Sequence, residues 1–277
     1  MRGLLIAAMT FGAVSAVQAA DMPDLPILRG AFTDGLTSSR VNWQGYYIGG
    51  QAGYGSSDEN FRGSTRTMIA AMLANTTIES EMGVSQWPLP GFGKTSARTS
   101  GFGGFAGYNS QWDDVVIGLE ASYLHGSFGG SSTGSMRRFT GAPLSDGYFH
   151  DVTLTSTSAI SIKDMATFRA RAAYAYGCFL PYLFGGLALG NADITRTASV
   201  VDVMTPGPTN PPPRLPFRPS SEEAQHNHLI YGYSAGLGVD VNLIGGLFLR
   251  AEWEYIRFTA SVDTSINTVR AGLGYKF

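Results

Sequence analysis

The sequence predicts an all-β fold: an eight-stranded antiparallel transmembrane β-barrel with long extracellular loops. Three observations carry this prediction. Eight stretches alternate large apolar side chains with Gly or polar ones, at the two-residue period of a strand. The connections between them run long, short, long, short, long, short, medium, as in a barrel with tight turns at one end and loops at the other. Charged residues make up only 14% of the 277 residues, which include 36 Gly, 13 Tyr and 16 Phe. A soluble domain carries about 25% charge, so this balance suits β structure that faces an apolar medium. The net charge of -2 leaves no basic surface for nucleic acid.

The first element reads as an export signal. Arg2 supplies the positive start, Leu4 to Val17 the apolar stretch, and VQA the small residues of a cleavage site after Ala19. Residues 1–19 are therefore expected to be a signal peptide. Residues 20–42, with prolines, Gly and small polar residues, are expected to be a periplasmic linker. Residues 43–277 form the barrel domain. Cys178 is the lone cysteine, so no internal disulfide is available. No later run is long and apolar enough for a membrane helix, which leaves strands to do the crossing.

Strand one is WQGYYIGGQAGYG, with Tyr46, Ile48, Ala52 and Tyr54 on one face. Residues 56–95 lose the alternation. Within them RTMIAAMLANTTIESEM predicts one short amphipathic helix, with Met68, Ile69 and Met72 on a shared side. Strand two is TSGFGGFAGYN, in which Phe102 and Tyr108 share a parity. SQWDD turns the chain into strand three, VVIGLEASYLHG, where Ile117, Leu119, Ala121 and Tyr123 alternate with Gly118, Glu120 and Ser122. Residues 126–155, rich in Gly and Ser, are read as loop. Strand four lies within TSAISIKDMATFRARAAYAY and sets Phe168, Ala170, Ala172 and Tyr174 against Arg169 and Arg171. GCFLP turns into strand five, YLFGGLALGNA, whose two faces are both apolar or Gly.

Residues 194–225 are read as the third long connection, because TPGPTNPPPRLPFRPS at its centre cannot be a central strand. Strand six, HLIYGYSAGLGVDVN, sets Tyr231, Tyr233, Leu237 and Val239 against Gly232, Ser234 and Asp240. Strand seven, LFLRAEWEYIRF, sets Leu249, Ala251, Trp253 and Tyr255 against Arg250, Glu252 and Glu254. The last strand sets Val269, Ala271, Leu273, Tyr275 and Phe277 against Arg270, Gly272, Gly274 and Lys276. An even strand number returns the chain to the side it started from, the periplasmic one.

Parity alone does not say which face points inward. A soluble barrel would bury the large apolar residues and wet the charges. Three features favour the opposite assignment: an interior of Gly with a few long charged residues suits the narrow bore of eight strands, aromatic residues sit near strand ends as interfacial girdles do, and the exported chain finishes on an aromatic strand. Glu120, Arg169, Arg171, Asp240, Arg250, Glu252, Glu254 and Arg270 then point into the barrel. Buried charges need partners, so a cross-strand ion-pair network that fills and neutralises the interior is expected.

Several of these stretches resemble a known family. WQGYYIGGQAGYG, GFGGFAGYN followed by WDDVVIGLEASY, LPYLFGGLALG and the final VRAGLGYKF look like the Omp25/Omp31-type outer-membrane barrels of alphaproteobacteria, distant relatives of the OmpA membrane domain. The resemblance runs over residues 43–277. It implies residence in the cell outer membrane, reached through the periplasm, and insertion by the barrel-assembly machinery. Val269, Leu273, Tyr275 and Phe277 match that machinery's recognition pattern. Members of the family are surface proteins, sometimes porins, and some relatives bind haem. The connections 56–95 and 194–225 are longer than the family's, so a borrowed ligand specificity does not follow.

Other chemistry is not supported. His226 and His228 stand two apart on one strand face and are candidates for a weak ligand or haem site, but no third ligand accompanies them. No metal and no resident cofactor are expected. GFGGFAG lacks the Lys and helix of a phosphate loop, and no nucleophile elbow is present, so an enzyme is not expected. The function expected is a mainly structural surface barrel. A small porin with weak conductance, or a loop-mediated ligand-binding or adhesion protein, are the alternatives. The expected partners are outer-membrane lipid and lipopolysaccharide, with an extracellular ligand at the loops as a further candidate. The oligomeric state stays open.

Overall fold

The computed structural model describes residues 41–209, 211–259 and 262–277. The signal peptide and nearly all of the expected linker lie outside them. Eight strands close an antiparallel ring in chain order: β1 (Gly45–Asn60), β2 (Lys94–Trp112), β3 (Val115–Phe139), β4 (Tyr148–Tyr174), β5 (Phe179–Pro206), β6 (Ser220–Asn242), β7 (Leu247–Phe258) and β8 (Asp263–Lys276). β1 pairs with both β2 and β8, for example Ala52 with Phe102 and with Ala271. Closure leaves no strand edge without a partner, which is what a lipid surround demands. No helix among the described residues is long and apolar enough to cross a membrane.

Side-chain exposure settles which way the strands face. Leu237, Leu249 and Leu273 stand 51%, 47% and 48% exposed, while Arg250 and Glu252 are each 3% exposed. The outward positions from Tyr46 to Tyr54, Val115 to Tyr123, Ala166 to Tyr174, Phe179 to Leu189, Leu229 to Val241, Leu249 to Tyr255 and Val269 to Tyr275 carry no charge. These segments make a continuous apolar band. At about 3.3 Å per residue and a tilt near 40°, it is about 25 Å tall, the height of a membrane's hydrocarbon layer. Strand five is no longer ambiguous: Leu183 and Leu187 point out, Tyr182 and Phe184 point in.

The strands are much longer than the alternation predicts. Residues 126–155 are mostly β3 and β4, and 194–225 are mostly β5 and β6. Only 140–147 and 207–219 connect them. The physical reason lies in the surroundings of that wall. Above the band its outward face meets water and carries Ser131, Thr133, Thr153, Thr155, Thr157 and Ser199, so the contrast of apolar against polar fades while the backbone pairing continues. The Pro-rich centre does lie off the strands, apart from one bridge between Phe217 and Asp202.

The first connection holds two helices rather than one, α1 (Arg66–Met72) and α2 (Thr77–Met82). Asn75 adopts a left-handed conformation with φ of 65° and breaks the pattern. Thr76 then caps α2, accepting a bond from the Glu79 amide at 3.3 Å.

The interior is layered. At the short-turn end Trp43, Phe105, Val116, Leu180 and Phe248 pack together. Higher up Leu124, Phe128, Ile160, Ile162, Met165, Ile256, Phe258 and Ile266 form a second apolar layer. At the far end Ile69, Leu73, Ile78 and Trp87 of the first connection pack on Val152, Leu154, Ala198 and Val200 of β4 and β5. The first connection therefore lies over the inner face of the projecting wall and covers it.

Candidate functional site

The charged residues occupy the level between the first two apolar layers. β7 shows the order directly: Phe248, then Arg250, Glu252 and Glu254, then Ile256. β4 repeats it with Ala173, then Arg171 and Arg169, then Met165. All eight charges, Glu120, Arg169, Arg171, Asp240, Arg250, Glu252, Glu254 and Arg270, are buried.

Glu120 sits at the hub. Its carboxylate accepts from Arg250 Nη1 at 2.9 Å, from Arg169 Nε at 3.0 Å, from Arg171 Nη1 at 3.2 Å and from the Tyr47 hydroxyl at 2.6 Å. Asp240 accepts from Arg250 Nε at 2.8 Å and from Arg171 Nη2 at 2.7 Å. Arg169 forks onto both oxygens of Glu252, at 2.6 and 2.8 Å, and approaches Glu254 at 3.4 Å. Arg270 pairs with Glu254. The four arginines thus face four carboxylates and the layer is neutral. Paired bonding of the guanidiniums is how a buried cation remains tolerable; Arg171 Nε alone among these nitrogens is buried without a partner.

Aromatic rings complete the layer, and sequence reasoning missed this role. Arg250 lies over Phe105 at 3.8 Å, Arg171 over Tyr182 at 3.9 Å and Arg169 over Phe184 at 4.1 Å. The rings lie flat because inward Gly residues on neighbouring strands leave room. A Cβ at Gly236 would come within 2.3 Å of Phe184 Cζ, and one at Gly49 within 2.3 Å of Phe105 Cζ. The signal was available as Gly on the inward parity beside a strand with an inward aromatic, but using it requires the register.

Val269, Leu273, Tyr275 and Phe277 all project outward from the closing strand. The Tyr275 and Phe277 rings meet edge to face at 5.3 Å, and the Phe277 amide donates to the Tyr46 carbonyl at 2.9 Å.

His226 and His228 are both exposed, but they do not share a regular strand face. Asn227 between them has φ of 52°, and the pairing of β6 with β5 slips there. His226 lies 3.7 Å from Asp193. Among the described residues no group of three or more His, Cys, Asp or Glu is placed to hold a metal. The two remaining histidines are held by carboxylates: buried His150 lies between Asp202 at 2.8 Å and Asp146 at 3.2 Å, and exposed His125 contacts Asp164 at 2.8 Å.

Two buried carboxyls beyond the band are shifted upward. Glu59, near the outer end of β1, is 1% exposed, and burial pushes its carboxyl up to about 7. Burial also raises the Asp202 carboxyl, against the opposing effect of His150.

The family model for the outer membrane protein beta-barrel domain matches residues 5–277. The chain belongs to this family. It is an outer-membrane β-barrel protein, and its apolar band is the surface that meets lipid. Among solved structures, Neisserial surface protein A (NspA) is similar at 14% identity, covering 84% of this chain and 97% of that one, with a TM-score of 0.36. Ail, the attachment invasion locus protein of Yersinia pestis, is similar at 13% identity over 84% and 99%, with a TM-score of 0.31. The N-terminal β-barrel domain of Pseudomonas aeruginosa OprF is similar at 13% identity over 82% and 99%, with a TM-score of 0.26. No curated protein matches the chain.

Proposed function

We propose that this outer-membrane protein is a closed surface barrel with a structural role, neither a conducting pore nor an enzyme. One observation carries the reading: along the strands the charged layer is bounded below and above by apolar layers. An ion crossing the barrel would have to shed water twice and part a neutral lattice of ion pairs between, which is costly. The covering of the outer end by the first connection supports the same reading.

The strand motifs that resemble Omp25/Omp31-type proteins support that subfamily within the family. In this reading Val269, Leu273, Tyr275 and Phe277 are the surface offered to the assembly machinery, and lipopolysaccharide surrounds the finished barrel. Planar-bilayer recording of the refolded protein tests closure. A flat current trace is expected. Sustained, discrete conductance steps at neutral pH would overturn it and promote the small-porin alternative.

A further inference from the structure

We propose that the outer end of the barrel carries a binding site for an anionic saccharide, one bearing phosphate or sulfate groups. The site is a cavity of about 560 Å³ formed by the β1–β2 connection and the start of β2. Arg62, Arg66 and Lys94 line it, and no acidic residue does.

Four cations elsewhere beyond the band are matched. Arg137 pairs with Asp151, Arg196 with Glu223, Arg214 with Asp146 and Lys163 with Asp193. Among the described residues, Arg62, Arg66 and Lys94 have no such partner; Arg98, Arg218 and Arg257 also lack one but do not border this cavity. Two arginines without a carboxylate partner, with a lysine beside them around one concavity that no acidic residue lines, favour an anion. Guanidinium forks bind oxyanions such as phosphate through paired bonds. A second cavity of about 450 Å³ shares Lys94 and contains Asp58, Glu59 and Asp263. Those carboxylates offset the lysine, so the two arginines carry the selectivity.

Size and lining point to a sugar rather than a bare ion. The volume falls in the range of small-molecule sites, about 300–1,000 Å³. Trp87, Pro88 and Leu89 supply an apolar wall on the same cavity, which suits the C–H face of a sugar ring while the arginines take its charged substituents.

The cavity is also preformed. Ser132 Oγ accepts from the Gly93 amide at 3.2 Å and donates to the Gly91 carbonyl at 3.0 Å, tying one side to β3. Arg196 Nη1 donates to the Ser64 carbonyl at 3.1 Å, tying the other to β5. Ile69 and Leu73 anchor α1 on the apolar patch of β4 and β5. A ligand therefore meets walls already in place and pays little ordering entropy.

Such a saccharide can arrive as the headgroup of an outer-leaflet lipid or as a free molecule. Two arms separate these sources, and neither depends on whether the barrel conducts. In the first, the full chain refolded in detergent is titrated with glucose 1,6-bisphosphate while tryptophan fluorescence and heat of binding are followed. In the second, the chain in vesicles is titrated with purified lipopolysaccharide, intact or enzymatically dephosphorylated. Saturable binding that weakens at least tenfold in R62A/R66A is expected in at least one arm. Binding in the first assigns a soluble source. Binding only to intact lipopolysaccharide assigns the lipid. Affinity unchanged by R62A/R66A in both arms, or no saturable binding in either, overturns the site. The heat-dependent gel shift checks that the variant is folded, and Arg66→Gln alone replaces the double change if it is not.

Discussion

Arg169 holds Glu120 and Glu252 directly and leans on Glu254, so removing it strands carboxylates where water does not reach. Breaking a buried pair in this way costs about 3–5 kcal/mol. Arg169→Ala is therefore expected to lower the unfolding free energy of the vesicle-embedded barrel, read from urea titration, by that amount. A loss below about 1 kcal/mol, the size of an exposed pair, would show that the layer is wetter than its burial implies. Glu59 gives a pH-dependent counterpart. Its folded carboxyl titrates near 7, whereas the unfolded one titrates near about 4.3. Below the unfolded value both states are protonated and nothing is lost. As pH rises through the interval, the unfolded state sheds its proton first and folding is penalised, fully so above the folded value. Glu59→Gln should thus raise the thermal midpoint at pH 8 and leave it unchanged near pH 3.5. An equal rise at both values would trace the effect to packing instead. At this scale the sequence showed the parity of Arg250, Glu252 and Glu254. It did not show that Arg250 reaches Glu120, because that contact depends on how non-adjacent strands face across the bore.

At the scale of elements, a change of parity in β4 explains why its length was hidden. Below Lys163 the even residues Phe168, Ala170 and Ala172 point out; above it the even residues Leu154, Ser156 and Ile160 point in. The pairing of β4 slips at this place on both sides, between His125 and Phe128 where it meets β3 and between Ile162 and Asp164 where it meets β5, and β5 slips against β6 between Ala192 and Ile194. These bulges mark the top of the apolar band and let one strand satisfy lipid below and water above. A two-residue alternation followed from below ends at such a break, whereas β7 and β8, which have no bulge, were read nearly end to end. The helices follow the same logic. The sequence showed amphipathic spacing at Met68, Ile69 and Met72, but the left-handed Asn75 that divides the segment became visible only in the fold. Deleting residues 66–82 should uncover Val152, Leu154, Ala198 and Val200. The expected result is a barrel that still shows its heat-dependent gel shift but is cut by added trypsin within 126–155 or 194–225. Protection equal to the full chain would mean the helices are not what shields that wall.

For the molecule as a whole, the sidedness of the turns is the testable property. Cys178 lies in the short connection between β4 and β5, at the same end as Gly45 and Lys276. It should resist a membrane-impermeant maleimide in intact cells and react after the outer membrane is opened. Thr155→Cys in a Cys178→Ser background should react in intact cells. The reverse pattern would invert the orientation. The strand number, the closure and the outward side of Leu237 and Leu273 were legible because one alternating rule governs every lipid-facing segment. The height of the wall was not, since water imposes no such rule.

That height sets where encounters happen. From Ile162 to Tyr148, β4 continues for about 45 Å along its own axis, or about 35 Å measured from the bilayer surface once a tilt near 40° is allowed for. Hydrogen-bonded neighbours flank it the whole way. The summit is therefore a stiff pedestal rather than a tethered fringe, and a visitor from outside the cell touches it at a fixed stand-off from the lipid that neither salt nor crowding adjusts.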